Sequence, residues 1–218
     1  MNTYVYTIYG NIYINLTNYC SNACEFCLRN HESVMDDREF GSHKGEGDYD
    51  LWLDREPSYT DVTEILDKMD FSRYKEMVFC GYGEPSARFD LVEMLAGYAH
   101  DRGIKTRINT NGQGSAILGK DIAPRMAKCI DTINVSLNAT DPESYDKLCH
   151  SRFGLKAIDI MLDFAKECVR CGGNVVLSRV DCVPPDQIRR AAEIARGLRE
   201  DLRGRTLIEA ATKCLAGR

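Results

Sequence analysis

Polar and apolar residues alternate in several short stretches of the chain. In residues 11–17, for example, Ile12, Ile14 and Leu16 share one face of an extended segment. This period of two residues is typical of β-strands. The pattern predicts six strands, at residues 11–17, 76–81, 104–112, 132–138, 174–182 and 205–211. A shorter run at residues 3–10 is expected to pair with the first of them as an edge strand.

Between these strands, apolar residues recur every three or four positions, which is the spacing of a helix that buries one face. The predicted helices lie at residues 60–70, 87–102, 119–129, 140–149, 156–170 and 184–200. Strands that alternate with helices through short connections indicate a parallel sheet. Six such units are fewer than the eight of a closed barrel. We therefore expect one α/β domain over residues 1–218, folded as a partial, open (β/α)6 barrel.

Composition narrows the class of protein. A chain of 218 residues, 44% of them hydrophobic, is long enough to bury a core. Its net charge of -5 argues against a general nucleic-acid-binding surface. No apolar run approaches the length of a membrane span, and the first residues do not resemble a signal peptide. We expect a cytoplasmic protein without a membrane or nucleic-acid partner.

Three of the ten cysteines, Cys20, Cys24 and Cys27, lie together just after the first barrel strand. In a cytosolic chain, thiolates at such short spacing bind metal more often than they form disulfides. A structural zinc site takes four ligands, and no fourth Cys or His follows at zinc-site spacing. Three thiolates on an iron–sulfur cubane leave one iron open, and an open iron can bind a small molecule. Cys168 and Cys171 also have metal-site spacing, but their predicted helical, apolar surroundings favour core cysteines.

A glycine-rich turn, GYGEP, follows the second predicted strand. Gly81 and Gly83 allow a ligand to approach the backbone closely. Glu84 can accept a hydrogen bond from an ammonium group, and Pro85 stiffens the turn. Polar segments also end the third and fourth strands, as INTNG and VSLNA. Because ligands of parallel βα folds bind at the carboxyl ends of strands, all these candidates are expected on one rim.

The cysteine spacing, with Phe26 directly before Cys27, resembles the signature of the radical S-adenosylmethionine (SAM) superfamily. GYGEP resembles the GGEP motif of that family, with Tyr82 in place of the second glycine, and INTNG resembles its TNG segment. The resemblance extends over nearly the whole chain. It implies that Cys20, Cys24 and Cys27 hold a [4Fe–4S] cluster whose open iron binds SAM through the methionyl amine and carboxylate.

The resemblance also implies where SAM is bound. Glu84 is expected to hold the methionyl amine, and Ser136 and Asn138 are expected to bind ribose hydroxyls. An arginine at the rim suits the cofactor carboxylate. The predicted SAM contacts are Phe26, Gly81, Gly83, Glu84, Pro85, Asn109, Asn111, Ser136, Asn138 and Arg179. No residue is assigned a catalytic role on the substrate.

The implied activity is that of an oxidoreductase. A donor such as flavodoxin or ferredoxin supplies one electron, and SAM is cleaved to methionine and a 5′-deoxyadenosyl radical. The radical then abstracts hydrogen from an unidentified substrate, a small molecule or a protein. The stretch YGNIYINLTNYCSNACEFCLRN resembles small radical SAM proteins associated with TatD-family hydrolases, which implies a TatD-like hydrolase as a functional partner.

Other functions stay open. A glycyl-radical-activating enzyme and a deazapurine synthase are also compact radical SAM types. Leu28 and Arg29 count against the second, which usually has Thr soon after the third cysteine. A non-catalytic iron–sulfur or zinc protein is the alternative outside the enzyme class.

The segment 31–58, just past the cysteines, has no clear periodicity. Long loops of this kind are functional or mobile. Tyr49, Leu51 and Trp52 are apolar enough to cover a pocket, so the loop is either a lid over the radical site or a surface insertion.

Overall fold

The computed structural model describes residues 2–27, 29, 50–179, 185–202 and 207–210. It contains one seven-stranded sheet whose strands lie side by side in chain order. The strands are β1 (Val5–Ile8), β2 (Asn11–Ile14), β3 (Glu76–Phe79), β4 (Lys105–Thr110), β5 (Thr132–Ser136), β6 (Val175–Arg179) and β7 (Leu207–Ala210). β1 is antiparallel to β2, and β2 to β7 are parallel. The six parallel strands confirm the predicted open α/β fold, and β1 is the predicted edge strand.

Helices connect the parallel strands. Within the described ranges they are α1 (Tyr59–Leu66), α2 (Phe89–His100), α3 (Gly114–Leu118), α4 (Ala123–Cys129), α5 (Pro142–Cys149), α6 (Ala157–Arg170) and α7 (Pro185–Leu202). Ser58 and Asp61 form a capping box at the start of α1, in which each side chain accepts a hydrogen bond from the other residue's backbone N–H. The side chain of Asp141 caps α5, and Pro142 occupies its first position.

The predicted first residue of one helix is wrong. The pattern predicts a helix over residues 119–129, but α4 begins only at Ala123, and the short helix α3 precedes it. Gly119, at the end of α3, has a φ of 63°, a left-handed conformation that glycine adopts without strain. The chain therefore turns at Gly119 instead of beginning a helix there.

The two faces of the sheet differ in polarity. The face that packs on the helices is apolar and fully buried, and its residues include Ile12, Ile14, Met77, Phe79, Ile108, Ile133, Val135 and Leu177. The opposite face, which we call the inner face, carries Tyr13, Arg107, Asn109, Asn134 and Ser136, all partly exposed. Since β2 to β7 run the same way, the segments that follow them meet at one edge, the carboxyl rim.

The segment just before α1 is attached to the end of β2. Leu51 and Leu53 are buried, and their backbone carbonyl groups accept hydrogen bonds from Asn15 Nδ2 (2.8 Å) and Asn18 Nδ2 (2.7 Å). This part of the predicted loop is thus packed on the domain. The predicted lid residues 31–49 lie outside the described residues.

Among the described residues, no helix combines the length and the apolar character that crossing a lipid bilayer requires.

Candidate functional site

The cysteine loop begins six residues after β2 and lies at the carboxyl rim. Cys20, Cys24 and Cys27 are partly exposed, and none of them forms a disulfide. The backbone N–H of Asn22 (3.4 Å) and the side-chain amide of Asn111 (3.8 Å) both donate to the sulfur of Cys20. Burial raises the pKa of Cys20 to about 12 and also raises the pKa of Cys27. Without a metal, these thiols are therefore protonated at neutral pH.

Cys24 lies beside the end of α5, because Ala23 N donates to Cys149 O and Glu25 N donates to Leu148 O. The neighbouring Cys149 thiol and burial raise the pKa of Cys24. In the part of the chain that is described, no three His, Cys, Asp or Glu side chains are grouped closely enough to hold a metal ion. Three soft thiols within eight residues nevertheless fit an iron–sulfur cluster in their chemistry.

The GYGEP turn packs directly against the start of the cysteine loop. The backbone N–H of Glu84 donates to the carbonyl oxygen of Tyr19 at 2.7 Å. A Cβ on Gly83 would lie 2.2 Å from the carbonyl oxygen of Thr17, and one on Gly81 would lie 2.1 Å from Oδ1 of Asn15. At both positions only glycine therefore allows the segments that follow β2 and β3 to pack this closely. Their predicted contact with SAM stays a prediction.

The carboxylate of Glu84 is almost completely buried, with 3% of the residue exposed. It accepts four hydrogen bonds, from Ser86 N (3.0 Å), Ser86 Oγ (2.6 Å), Thr110 Oγ1 (2.7 Å) and Asn111 N (2.7 Å). Burial raises the pKa of Glu84, and these donors oppose that shift. The observed role of Glu84 is to join the GYGEP turn to the end of β4. Its predicted contact with the methionyl amine is not among these four bonds.

A buried hydrogen-bond network beneath the cysteine loop was not predicted from the sequence. Gln113 is fully buried; its Oε1 accepts from Ser21 Oγ (2.7 Å) and Ser151 Oγ (3.0 Å). Its Nε2 donates to Asn22 Oδ1 (3.1 Å) and Tyr145 Oη (3.2 Å). Gln113 thus links the cysteine loop to α5 and to the segment after it. The only sequence signal was a polar residue directly after the TNG segment.

The other predicted SAM contacts are divided between the inner face and the protein interior. Asn109 lies on the inner face and accepts a hydrogen bond from Asn134 Nδ2 at 3.1 Å. Ser136, also on that face, is partly exposed and pairs in register with Ser178. Asn111 contacts the cysteine loop through Ser21 Oγ (2.9 Å) and Cys20, so the structure brings these two predicted sites together.

The remaining candidates are less accessible or lie at the edge of the site. Asn138 is buried, and its Nδ2 lies 4.0 Å from the sulfur of Cys149. Pro85 is buried, and Phe26 packs against the core. Arg179 ends β6 and is partly exposed. The structure gives no ligand contact for any of them, and their assignment to SAM stays a prediction.

The second cysteine pair agrees in part with its prediction. Cys168 is fully buried in α6, as expected for a core residue. Cys171, at the end of that helix, is only partly buried, and its thiol contacts Glu167 Oε1 at 3.5 Å.

Comparison with known proteins identifies the family. The chain matches the family described as the radical SAM superfamily over residues 14–198. It is similar in fold to Streptococcus suis SuiB bound to S-adenosylmethionine, with a TM-score of 0.58 and 21% identity over 94% of this chain and 39% of SuiB. A radical SAM methyltransferase from Sphaerobacter thermophilus gives a TM-score of 0.62 and 14% identity over 96% of this chain and 69% of that protein.

HydG, a maturase of the [FeFe]-hydrogenase, gives a TM-score of 0.61 and 15% identity, covering 95% of this chain and 43% of HydG. The chain thus spans well under half of SuiB and of HydG. At these identities the three structures establish the fold, whereas the family match over residues 14–198 includes the cysteine loop and the GYGEP turn. The chain belongs to the radical SAM superfamily, a family whose membership implies a [4Fe–4S] cluster and SAM.

Proposed function

We propose that this protein is an enzyme that cleaves SAM reductively and uses the resulting 5′-deoxyadenosyl radical to abstract hydrogen from its substrate. The observation that carries the proposal is the contact between the cysteine loop and the GYGEP turn. The hydrogen bond from Glu84 N to Tyr19 O makes one packed unit of the cysteines and the turn that resembles the family's SAM-binding motif. That unit lies at the carboxyl rim, where parallel βα folds bind ligands.

Each part of this unit has a task in the proposed reaction. Cys20, Cys24 and Cys27 would hold the cluster. When bound, the cluster would supply the electron for the reductive cleavage of SAM. Asn109 and Ser136 present polar side chains on the inner face, where they are placed to hydrogen-bond the nucleoside part of SAM. Fixing SAM and the substrate carbon in one orientation is the protein's main contribution to the rate.

The finer assignments are also proposals. A flavodoxin or ferredoxin is the proposed electron donor, and a cytoplasmic location suits both. We also propose a functional link with a TatD-like hydrolase, on the resemblance of the stretch YGNIYINLTNYCSNACEFCLRN alone. Activation of a glycyl-radical enzyme and synthesis of a deazapurine remain alternative reactions for the same radical. Side chains above the inner face decide the substrate.

The proposal is tested by anaerobic reconstitution of the full chain with iron and sulfide. We expect about four irons per chain, and 5′-deoxyadenosine after addition of SAM and dithionite. Cys27→Ala should lose the iron and the product, whereas the matched control Cys171→Ser, far along the chain just after α6, should keep both. Full iron retention by Cys27→Ala would show that the cysteine loop does not hold the cluster and would refute the proposal. Stoichiometric zinc without iron uptake would indicate a zinc protein, and iron uptake without 5′-deoxyadenosine would indicate an electron-transfer protein.

A further inference from the structure

The surface beside the cysteine loop is basic, although the chain as a whole carries a net charge of -5. Residues 147–156, which form the end of α5 and the turn that follows it, include no Asp or Glu. Their exposed basic residues, which we call the basic patch, are Lys147, His150, Arg152 and Lys156. In the described part of the chain, neither Lys147 nor Lys156 has an acidic partner. The proposed reaction gives these side chains no role.

Backbone hydrogen bonds fix the basic patch beside the cysteine loop. Three of them join the two segments, namely Ala23 N to Cys149 O (2.9 Å), Glu25 N to Leu148 O (3.0 Å) and Arg152 N to Ser21 O (2.9 Å). The first two involve the residues on either side of Cys24. The basic patch therefore lies next to the point where an electron must reach a cluster held by the three cysteines.

Apolar side chains are exposed within the same surface. Leu155 is 52% exposed, and Tyr19, directly before Cys20, is 40% exposed. Arg152 connects this apolar surface with the basic patch, because its guanidinium donates a hydrogen bond to the hydroxyl of Tyr19 and lies 4.8 Å from the centre of the Phe153 ring. Exposed apolar side chains bordered by charged ones suit a protein partner better than a small charged ligand.

We propose that the basic patch is the docking surface for the electron donor, and that this donor is a small redox protein with an acidic surface. The inference rests on the proposed function in one respect, the need for an electron from outside the chain. The reduced donor gives up one electron to the cluster, and no bond is formed or broken. Complementary charge speeds the encounter and orients the two proteins, whereas a small contact area lets the oxidised donor leave again.

A nucleic acid fits this surface less well. Glu25 is exposed within it and pairs with His150 at 3.4 Å, so an acidic side chain lies where a phosphate would bind. The net charge of -5 also repels a polyanion at long range. A compact acidic protein meets the basic patch alone.

Binding is measured on the full chain by biolayer interferometry, with an acidic flavodoxin as the probe. The double variant Lys147→Glu/Lys156→Glu reverses two charges of the basic patch. The matched control Lys75→Glu/Lys128→Glu changes the net charge equally at the opposite edge of the sheet, since Lys75 directly precedes β3 and Lys128 lies in the last turn of α4. All four lysines are exposed. We expect the association rate of the patch variant to fall about tenfold at low salt, and that of the control to stay close to the wild type.

Salt and electron transfer give two independent measurements. Added salt should slow flavodoxin association with the wild type and reduce its difference from the patch variant, because salt screens exposed charges. Oxidation of the reduced flavodoxin by reconstituted protein, followed by the flavin absorbance in a stopped-flow instrument, should be slower in the patch variant than in the control. The salt dependence of the wild type tests the inference even when the patch variant does not fold.

Several results would overturn the inference. These are no binding of flavodoxin to the wild type, binding that salt does not weaken, equal association rates in the two double variants, and flavodoxin oxidation that is equally fast in both. A single-stranded RNA that binds the basic patch more tightly than flavodoxin would also overturn it, by showing that the partner is a nucleic acid.

These outcomes are distinguishable from those of the proposed function. The binding measurement needs neither SAM nor electron transfer, whereas the proposed function is tested with dithionite, a small reductant that needs no docking surface. Flavodoxin binding and oxidation that depend on the basic patch, in a protein that does not cleave SAM, would support the docking surface alone. SAM cleavage with dithionite, in a protein that does not bind flavodoxin, would refute the docking surface alone.

Discussion

Replacing Glu84 with alanine should chiefly destabilise the fold. The change removes the acceptor of four buried hydrogen bonds. The hydroxyls of Ser86 and Thr110 can rotate to other acceptors, but the backbone N–H groups of Ser86 and Asn111 cannot. An unsatisfied buried donor costs about 1–3 kcal/mol. For the two N–H groups, we expect the free energy of unfolding to fall by about 2–6 kcal/mol.

Urea unfolding followed by circular dichroism measures this loss, since the midpoint shifts in proportion to stability. Glu64→Ala is a matched control, because Glu64 is exposed on α1. Such surface changes alter stability by less than about 0.5 kcal/mol. Thr110→Val keeps the carboxylate but removes one of its four donors and also the acceptor of Gly112 N (3.0 Å), so it should cost about 1–3 kcal/mol.

SAM binding separates the two roles considered for Glu84. If the carboxylate holds the methionyl amine directly, Glu84→Ala should weaken SAM binding by about 1.5–3 kcal/mol in protein that is still folded. The structure instead favours a loss of stability. An unfolding midpoint equal to that of Glu64→Ala, combined with weaker SAM binding, would refute the structural role derived from the four hydrogen bonds.

Three further predictions concern other parts of the fold. Gly83→Ala should reduce both stability and iron loading, because its Cβ would collide with Thr17 O. Gly97→Ala in α2, where the Cβ meets open space, should instead raise the free energy of unfolding by about 0.5–1 kcal/mol. Equal urea midpoints for the two variants would contradict this. Gln113→Leu should lower the iron bound per chain after reconstitution, because the cysteine loop loses its link to α5; unchanged iron content would count against that link. The pKa of Asp131 is lowered, because hydrogen bonds from Thr106 N and His100 outweigh its partial burial. The ionised Asp131 therefore stabilises the fold above about pH 3.8. This contribution disappears as the pH falls through the pKa that Asp131 has in the folded protein. Asp131→Asn should therefore be less stable than wild type at pH 7, with a deficit that shrinks at acid pH, and a pH-independent deficit would show that the charge is irrelevant.

The fold was largely predictable because its signals are local. Each parallel strand carries its own alternating or apolar run, and each helix has its own periodicity and end signals, such as Asp141–Pro142. The edge strand was also predictable, since residues 3–10 precede β2 with a short connection. The start of α4 was not, because Gly119 and Pro124 compete with the helical pattern between them.

The site was predictable only where its residues follow a linear motif. The cysteine spacing and the GYGEP turn are visible in the sequence, and the structure places them in contact. The partners of Gln113 are separated from it by about 30 to 90 residues, so no local pattern relates them. The burial of Glu84 was missed for the same reason. A Glu after two glycines suggests a surface acceptor, whereas two of its four donors, Thr110 Oγ1 and Asn111 N, come from the end of another strand.

The positions of the unpaired polar atoms indicate which face of the sheet lacks hydrogen-bond partners. Four buried side-chain atoms of the described residues have no hydrogen-bond partner, namely Oδ1 of Asn11, Asn15 and Asn134 and Nε of Arg107. Because successive side chains of a strand point to opposite faces, Asn11, Arg107 and Asn134 lie on the inner face of β2, β4 and β5. Asn15, directly after β2, continues the same alternation. The helix-packed face contributes none. Leaving such groups unsatisfied costs free energy, so water or a bound molecule is expected on the inner face and not between the sheet and the helices. This is the side on which Asn109 and Ser136 lie, and it is where the proposed reaction requires SAM and substrate to meet.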